Sequence, residues 1–308
     1  MNIGYCCISE GINEGLKKKD FVLVNRDMRE ATLLEKGLPY VSELAIANLR
    51  DCLTILKYNV RKGIYVYRMS SDMLPWFSSY ELTDLPNFGT IKMLMEKIGM
   101  YIIENNMRCG FHPGPYTVIG SENPRVVKNS IMELNKQAQM LDLMLLPANN
   151  YYSINIHLNS TKPTLEDAAA RFCDSFALLS ESCQKRLTVE NDDKQAQFTV
   201  NDLYNLVHLK IGIPIIADSL HWYCHSGGIS WEDTFRLAIS TWGVKPLCHH
   251  SSSKKIHEDA KAASIRDHSD FLYEPFENFG IDVDLELECK MKDIALFKYK
   301  KDYPCQKL

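Results

Sequence analysis

Six short apolar runs each end on a side chain able to hold a metal ion. RCGFHPG presents His112, SINIHL His157, RLTVEND Glu190, IPIIADSLH Asp218 and then His221, KPLCHH His249, and DLELECK Glu288. Imidazoles and carboxylates together suit borderline divalent ions such as Zn²⁺ and Mn²⁺, whereas an all-oxygen set would point to Mg²⁺ or Ca²⁺. With His268 added, the donors exceed what one tetrahedral ion can use, so more than one ion is expected. Glu190, central in the order, is the natural bridging carboxylate for ions ~3.5–4 Å apart, the separation used in two-metal phosphoester hydrolysis. Any one of these histidines, taken alone, is more often a hydrogen-bonded core or surface residue. Six strand ends behaving alike are not a chance pattern.

The elements that must position these donors can be read in order. NIGYCC opens a first strand, and the long polar loop SEGINEGLKKKD follows it. A helix is predicted from Val41 to Gly63, with Ser42 as N-cap and Gly63 as stop. IYVYRM makes a second strand that leaves Arg68 near its end. Strand and helix then alternate to a last strand in IDVDLEL. Eight βα units within one chain of 308 residues are the pattern of a (β/α)8 TIM barrel, an α/β fold. The barrel accounts for the donors, because its functional groups stand at the carboxyl ends of the strands. An open sheet would spread the same ends along a line. His208 in a helix, His225 in a glycine-rich loop and His257 in the KKIHED run are read as structural, and His250, beside His249, must point to the other face of its strand.

Composition narrows the classes. With 45% hydrophobic and 24% charged residues, residues 1–308 read as one domain, ending in a short basic tail from about residue 297 that would be solvated. A formal net charge of -4 offers no global attraction to a polyanion, so a nucleic-acid partner would need a local basic face or metal ions. The 10 cysteines are scattered, without CxxC pairs, as expected of reduced thiols in an intracellular protein. The start lacks a signal-peptide pattern and no apolar run approaches the ~20 residues needed to cross a bilayer, so no membrane partner is expected. A soluble monomer is expected, cytoplasmic or, in a eukaryotic cell, nuclear.

The ordered motifs NLRDCLTILKYN, YRMSSDMLPWFS, HPGPY, HLNS, VEND, ADSLH, HHSSS, RDHSDF and LELECKMKDIAL carry a resemblance. Over nearly the whole chain they resemble the UV damage endonucleases and, more widely, endonuclease IV and the xylose-isomerase-like barrels. The resemblance implies a trinuclear metal centre. His112, His157 and Glu190 would hold one ion, Glu190, Asp218, His249 and Glu288 a second, and His221 with His268 a third. Mn²⁺ is the implied metal, with Mg²⁺ or Zn²⁺ as alternatives. The implied reaction is hydrolysis of a phosphodiester just 5′ of a UV photoproduct in double-stranded DNA, leaving a 3′-hydroxyl. No side-chain nucleophile is required; Glu190, His249 and Glu288 would act through the ions, and Lys290 could approach the phosphate or orient Glu288. Arg68 could act similarly or pair with a ligand carboxylate.

Lesion recognition must be separate, since metals meet the backbone and not the base. By resemblance, Tyr5 and Tyr116 would probe the damaged site from loops above the barrel while the linked bases are extruded. The chain departs from the family pattern here. Pro115 stands where a glutamine is common, Ser9 lies near an expected asparagine, and Leu247 replaces a lysine, although Lys245 is close by. Metal chemistry is therefore expected intact and lesion preference altered. A broader abasic-site endonuclease is the nearest alternative, ahead of a sugar isomerase or a non-catalytic damage-binding protein.

Overall fold

The computed structural model describes residues 1–304. Eight short strands are present among them: β1 (Asn2–Cys6), β2 (Val66–Arg68), β3 (Arg108–Gly110), β4 (Ile154–Ile156), β5 (Leu187–Glu190), β6 (Ile215–Asp218), β7 (Leu247–His250) and β8 (Asp284–Leu287). Every pairing is parallel, and β8 returns to β1 between β7 and β2. The seam closes just beyond β3, where Phe111 bridges to Ile154; its N–H donates to Ser153 O at 2.9 Å and its carbonyl accepts from Asn155 N–H at 2.9 Å. Gly110 permits that approach, since a Cβ there would lie 2.4 Å from Ser153 O. The predicted closed barrel is therefore the fold. Strands of three to five residues suffice because helices cover the outside and side chains fill the inside.

The interior is layered. At the amino-terminal end, buried Arg108 pairs with buried Asp284 at 3.3 Å, its guanidinium over the rings of Tyr151 and Trp242. Above it Val66, Ile216 and Leu247 form a small apolar layer. The position where a lysine was expected is therefore part of this plug, and Lys245 does not substitute: it pairs with Asp282 and Asp284, each at 3.0 Å. Over the apolar layer, at the carboxyl ends, the polar donors begin.

Two sequence expectations are corrected, in the first long helix and in the basic tail. The first long helix runs Glu30–Arg61, not from Val41, with a break at Gly37 (φ 61°) just before Pro39. Ser42 is thus interior to it, its buried Oγ accepting from Asn87 N–H at 3.3 Å, while Gly63 (φ 67°) does end it. The loop after β1 is a pinned structure: Asn13 accepts from Val22 N–H at 2.8 Å and donates to the Ser9 and Val22 carbonyls. The residues assigned to a solvated basic tail begin inside the helix Lys292–Asp302, where Leu296 and Tyr299 are buried against the barrel. Lys300 there reaches Gly63 O near the amino-terminal rim, which is the wrong end for touching a phosphate at the site. The end of that tail, from residue 305, lies outside the described residues.

Candidate metal centre

Glu190 ends β5 fully enclosed, and the centre is arranged around it. Its Oε2 lies 3.2 Å from His112 Nε2, 3.1 Å from His249 Nδ1 and 3.8 Å from His157 Nε2, and its Oε1 lies 3.3 Å from His221 Nδ1. Asn155 also donates to Oε2, and its amide is oriented by Thr188 Oγ1, which donates to Asn155 Oδ1 at 3.1 Å. Three groups of donors meet on this one carboxylate: His112 and His157, Asp218 and His221, and His249 and Glu288, with the ligand atoms of each group within 4.8 Å of one another. Seven of the eight expected donors fall in these groups, and His112 and His157 stand with Glu190 as expected, but the rest of the partition differs. Asp218 sits with His221, and His268 stands outside all three groups, its ring 6.3 Å from that of His221.

Backbone carbonyls fix most of the imidazoles. His112 Nδ1 faces Pro113 O at 3.1 Å, His221 Nδ1 faces Asn191 O at 2.9 Å, and His268 Nδ1 faces Glu288 O at 2.7 Å. A carbonyl can only accept, so Nδ1 carries the proton and Nε2 keeps a lone pair for a metal. Asp218 is anchored by one oxygen, its Oδ1 accepting from His221 N–H at 2.8 Å, while buried Oδ2 has no hydrogen-bond partner. His249 Nδ1 and His157 Nδ1 are likewise buried without one; His249 Nε2 and Glu286 Oε2 also lack one but lie 3.2 Å apart as an ion pair. Buried polar atoms are almost always satisfied, so orphaned nitrogen and oxygen atoms gathered in one place fit a divalent ion.

The charges are strongly coupled. Burial alone would raise Glu190, yet His249 and His157 hold it well below the usual carboxylate range. Glu288 is also held low, against burial, by Arg68 and then His249. Burial works against charge on His249 and His221, but Glu190 for the first and Asp218 for the second drive them well above the ordinary imidazole value. His157 goes the other way, lowered by burial to about 3, and burial lifts Asp192 to about 7. A stability profile follows for the metal-free protein. The raised histidines contribute fully below their unfolded value of ~6.5, and that contribution is lost as pH rises through their folded values. The depressed carboxylates contribute above ~4.5 and lose it on acidification, and lowered His157 costs stability as pH falls below ~6.5. Asp192, raised to about 7, costs stability as pH rises from ~4 and offsets the gain from His157, so the melting temperature should be level between pH ~4.5 and ~6.5 and fall above it. Saturation with a divalent ion should remove the alkaline decline, because the ion takes the place of the protons. Calorimetric scans across pH check this, and an apo profile flat from pH 6 to 9 would contradict it.

The other expected residues divide. Arg68, at the end of β2, donates to Glu288 and lies 3.6 Å from Glu286, so it pairs with carboxylates of the centre. It shares a cavity of about 320 Å³ with Cys7, His112, Pro115, His157 and Glu288. Tyr116, 90% exposed, stands in the same loop as Pro115, and the structure leaves it free to project. Lys290 is exposed, engages only through its backbone N–H to Ser269 O, and shows no side-chain partner among the described residues.

Two assignments to the lesion are corrected. Tyr5 is 0% exposed on β1, its OH donating to Asn59 Oδ1 at 2.8 Å, so it packs between barrel and helix and cannot wedge into DNA. Ser9 is 1% exposed and donates to Asp293 Oδ2 at 3.0 Å, a carboxylate that also collects Tyr58 OH and the N–H groups of Glu10 and Gly11. Ser9→Ala should accordingly cost about 1 kcal/mol in urea unfolding. It should leave any preference for damaged DNA unchanged, and a changed preference would return Ser9 to the site.

Sequence reading missed Asn155, Asp192 and Glu286. Each lies two positions from a named donor (His157, Glu190 and Glu288), and β-strand periodicity puts such residues on one face. That period was the available signal. His250 points away from the centre as expected, bonded to Ser219 Oγ at 2.7 Å and Glu274 O at 3.1 Å. His208 and His257 are also tied elsewhere, to Ile213 O and Glu274.

Comparison with known proteins decides the lineage. The family described as UV-endonuclease UvdE matches residues 1–307. The chain belongs to that family. As a UvdE-family protein it is an endonuclease, and its relatives agree. A UV DNA damage endonuclease of Clostridium perfringens (strain 13 / Type A) is 29% identical over 97% of this chain and 69% of its own length. One from Bacillus cereus (strain G9842) is 29% identical over 82% of this chain and 79% of its own. The crystal structure of SacUVDE superposes with a TM-score of 0.84 at 29% identity, covering 100% of both chains. Endonuclease IV from Thermus thermophilus, at 12% identity, TM-score 0.58, and 81% and 93% coverage, shares the fold. Among the described residues no helix is long and apolar enough to cross a membrane, and nine cysteines are free thiols.

Proposed function

We propose that this UvdE-family chain is a divalent-metal-dependent DNA repair endonuclease that cleaves double-stranded DNA on the 5′ side of UV photoproducts and leaves a 3′-hydroxyl. The carrying observation is the convergence of three donor groups on Glu190, with orphaned nitrogen and oxygen atoms beside a cavity of about 320 Å³. We further propose Mn²⁺ as the ion, more than one per chain, in a single-domain monomer. Ions held there supply the positive charge that makes water nucleophilic near neutral pH and offsets the charge of the cleaved phosphate.

The chain's own groups prepare that chemistry. Glu190 presents both oxygens to different donor groups, so it links them. The carbonyls behind His112, His221 and His268 hold a proton on Nδ1, so Nε2 is the nitrogen each would offer an ion. Arg68 on the cavity wall holds Glu288 in place and brings a fixed cation to where a phosphate would enter. Tyr116 offers an exposed ring at the mouth, suited to fill the gap left by extruded bases.

One observation favours a second reading, a broader lesion or abasic-site endonuclease. With Tyr5 and Ser9 buried and Pro115 lacking a hydrogen-bonding side chain, little at the mouth reads a particular lesion. A single assay separates the two. Supercoiled DNA, irradiated or not, and an abasic duplex are incubated with Mn²⁺ or with chelator. Nicking confined to irradiated DNA with Mn²⁺ supports the proposal, strong nicking of the abasic duplex supports the second reading, and metal-independent or absent nicking overturns both.

A further inference from the structure

His249 differs from the other histidines of the centre. In His112, His221 and His268 a backbone carbonyl takes Nδ1 and leaves Nε2 for a metal. His221 Nδ1 also lies 3.3 Å from Glu190 Oε1 beside its carbonyl, but His249 Nδ1 has no carbonyl and faces carboxylates alone, 3.1 Å from Glu190 Oε2 and 3.2 Å from Glu288 Oε1. Its Nε2 turns the opposite way and meets Glu286 Oε2 at 3.2 Å. The two residues are register partners on β7 and β8, so both side chains face the barrel interior. Glu286 is 3% exposed, its neighbour on the other side is Gly4 of β1, which has no side chain, and the closest cation is Arg68 at 3.6 Å.

Resting on the metal-dependent reading above, we propose that Glu286 is a positioning residue that fixes His249 as an Nδ1 donor. A carboxylate can only accept, so the proton His249 retains when it serves a metal is the one on Nε2. The lone pair then lies on Nδ1, aimed between Glu190 and Glu288. An apolar residue at 286 would leave the ring free to exchange its nitrogens, and one of the donor groups would lose its fixed geometry. Glu286 on β8 lies two residues before Glu288, which directly follows the strand, so one segment supplies both a donor and the support of a donor on its neighbour.

The test compares Glu286→Met, which keeps length and removes the acceptor, with Glu286→Gln, whose amide oxygen can still accept from Nε2–H. Mn²⁺ binding is measured by titration calorimetry, and the visible absorption of the Co²⁺-loaded protein reports donor geometry. Glu286→Met should bind Mn²⁺ about 10–100-fold more weakly, with the wild-type number of ions at saturation and shifted Co²⁺ bands. Glu286→Gln should restore affinity to within about threefold. Wild-type affinity in Glu286→Met overturns the proposal, as does loss of a whole ion in both variants, which would make Glu286 itself a ligand. Should Glu286→Met not fold, long-range ¹H–¹⁵N spectra of the Zn²⁺-loaded wild type decide. One ring protonated on Nε2 among rings protonated on Nδ1 supports it, and a uniform Nδ1–H pattern overturns it. A wild-type protein that binds no divalent ion fails at the metal reading; a wild-type protein that binds Mn²⁺ no better than Glu286→Met does fails here alone.

Discussion

Glu190→Gln should lower the nicking rate by at least about 10²–10³-fold while leaving a folded protein. The carboxylate accepts from Asn155 and lies within 3.3 Å of ring nitrogens of His112, His221 and His249. Glutamine keeps the shape but converts one acceptor into an NH₂ donor, which must then face other donors. Asn155 can answer by flipping only if Thr188, which donates to its oxygen, turns to accept instead. The variant thus loses the negative charge common to all three donor groups and gains a donor–donor conflict in a buried site. The metal-free variant should unfold about 1–3 kcal/mol more easily, the cost of unsatisfied buried groups. Calorimetric Mn²⁺ titration should show binding lost or reduced in stoichiometry. The same change at Lys290 should do little, since its side chain is exposed and unengaged. A Glu190→Gln enzyme that nicks within about threefold of wild type would sink the idea that this residue joins the donor groups.

The contrast between Glu190 and Tyr5 shows what could be read from sequence and what could not. A strand that stops on a polar residue announces itself, because the apolar run must end where the barrel opens. His112, His157, Glu190, Asp218, His249 and Glu288 were all legible in this way, and closure of the barrel then made them neighbours. His221 came with them because Asp218 begins a short helix that carries it back over the centre. Beyond His112 and His157 with Glu190, which donors group together was not legible. That depends on barrel stagger, which sets Glu288 with His249 and not with Asp218, and no spacing within one strand encodes stagger across several. Facing was the second blind spot. Tyr5 lies on β1 beside small and apolar residues, and the alternation that brings Gly4 and Cys6 inward turns Tyr5 out to Asn59 under the helix. A motif shared with a family carries the residue's identity, but only the register says which side it serves. Ser9 failed as a guide for a related reason, since its partner Asp293 lies 284 residues away in sequence.

Tyr116→Ala should separate recognition from cleavage. The ring is 90% exposed between Pro115 and Thr117, which line the cavity together with Arg68, His112 and Glu288. No packing holds it in the free protein, so truncation should leave unfolding unchanged to within about 0.5 kcal/mol. A tyrosine that stacks where bases have been displaced contributes about 1–3 kcal/mol, which corresponds to roughly 5–150-fold in the preference for irradiated over untreated DNA. With Tyr5 buried and proline at 115, the proposed reading would leave that burden to one side chain, so the loss should fall toward the upper end. Tyr116→Phe should retain most of the preference, because a stacked ring needs no hydroxyl. Mn²⁺ affinity should be the same in all three proteins, since the donors lie below the rim and do not touch the ring. Competition nicking of mixed irradiated and untreated plasmids gives the ratio directly. An unchanged ratio in Tyr116→Ala would move recognition away from this loop, and a fall in Mn²⁺ affinity would show that the loop shapes the centre itself.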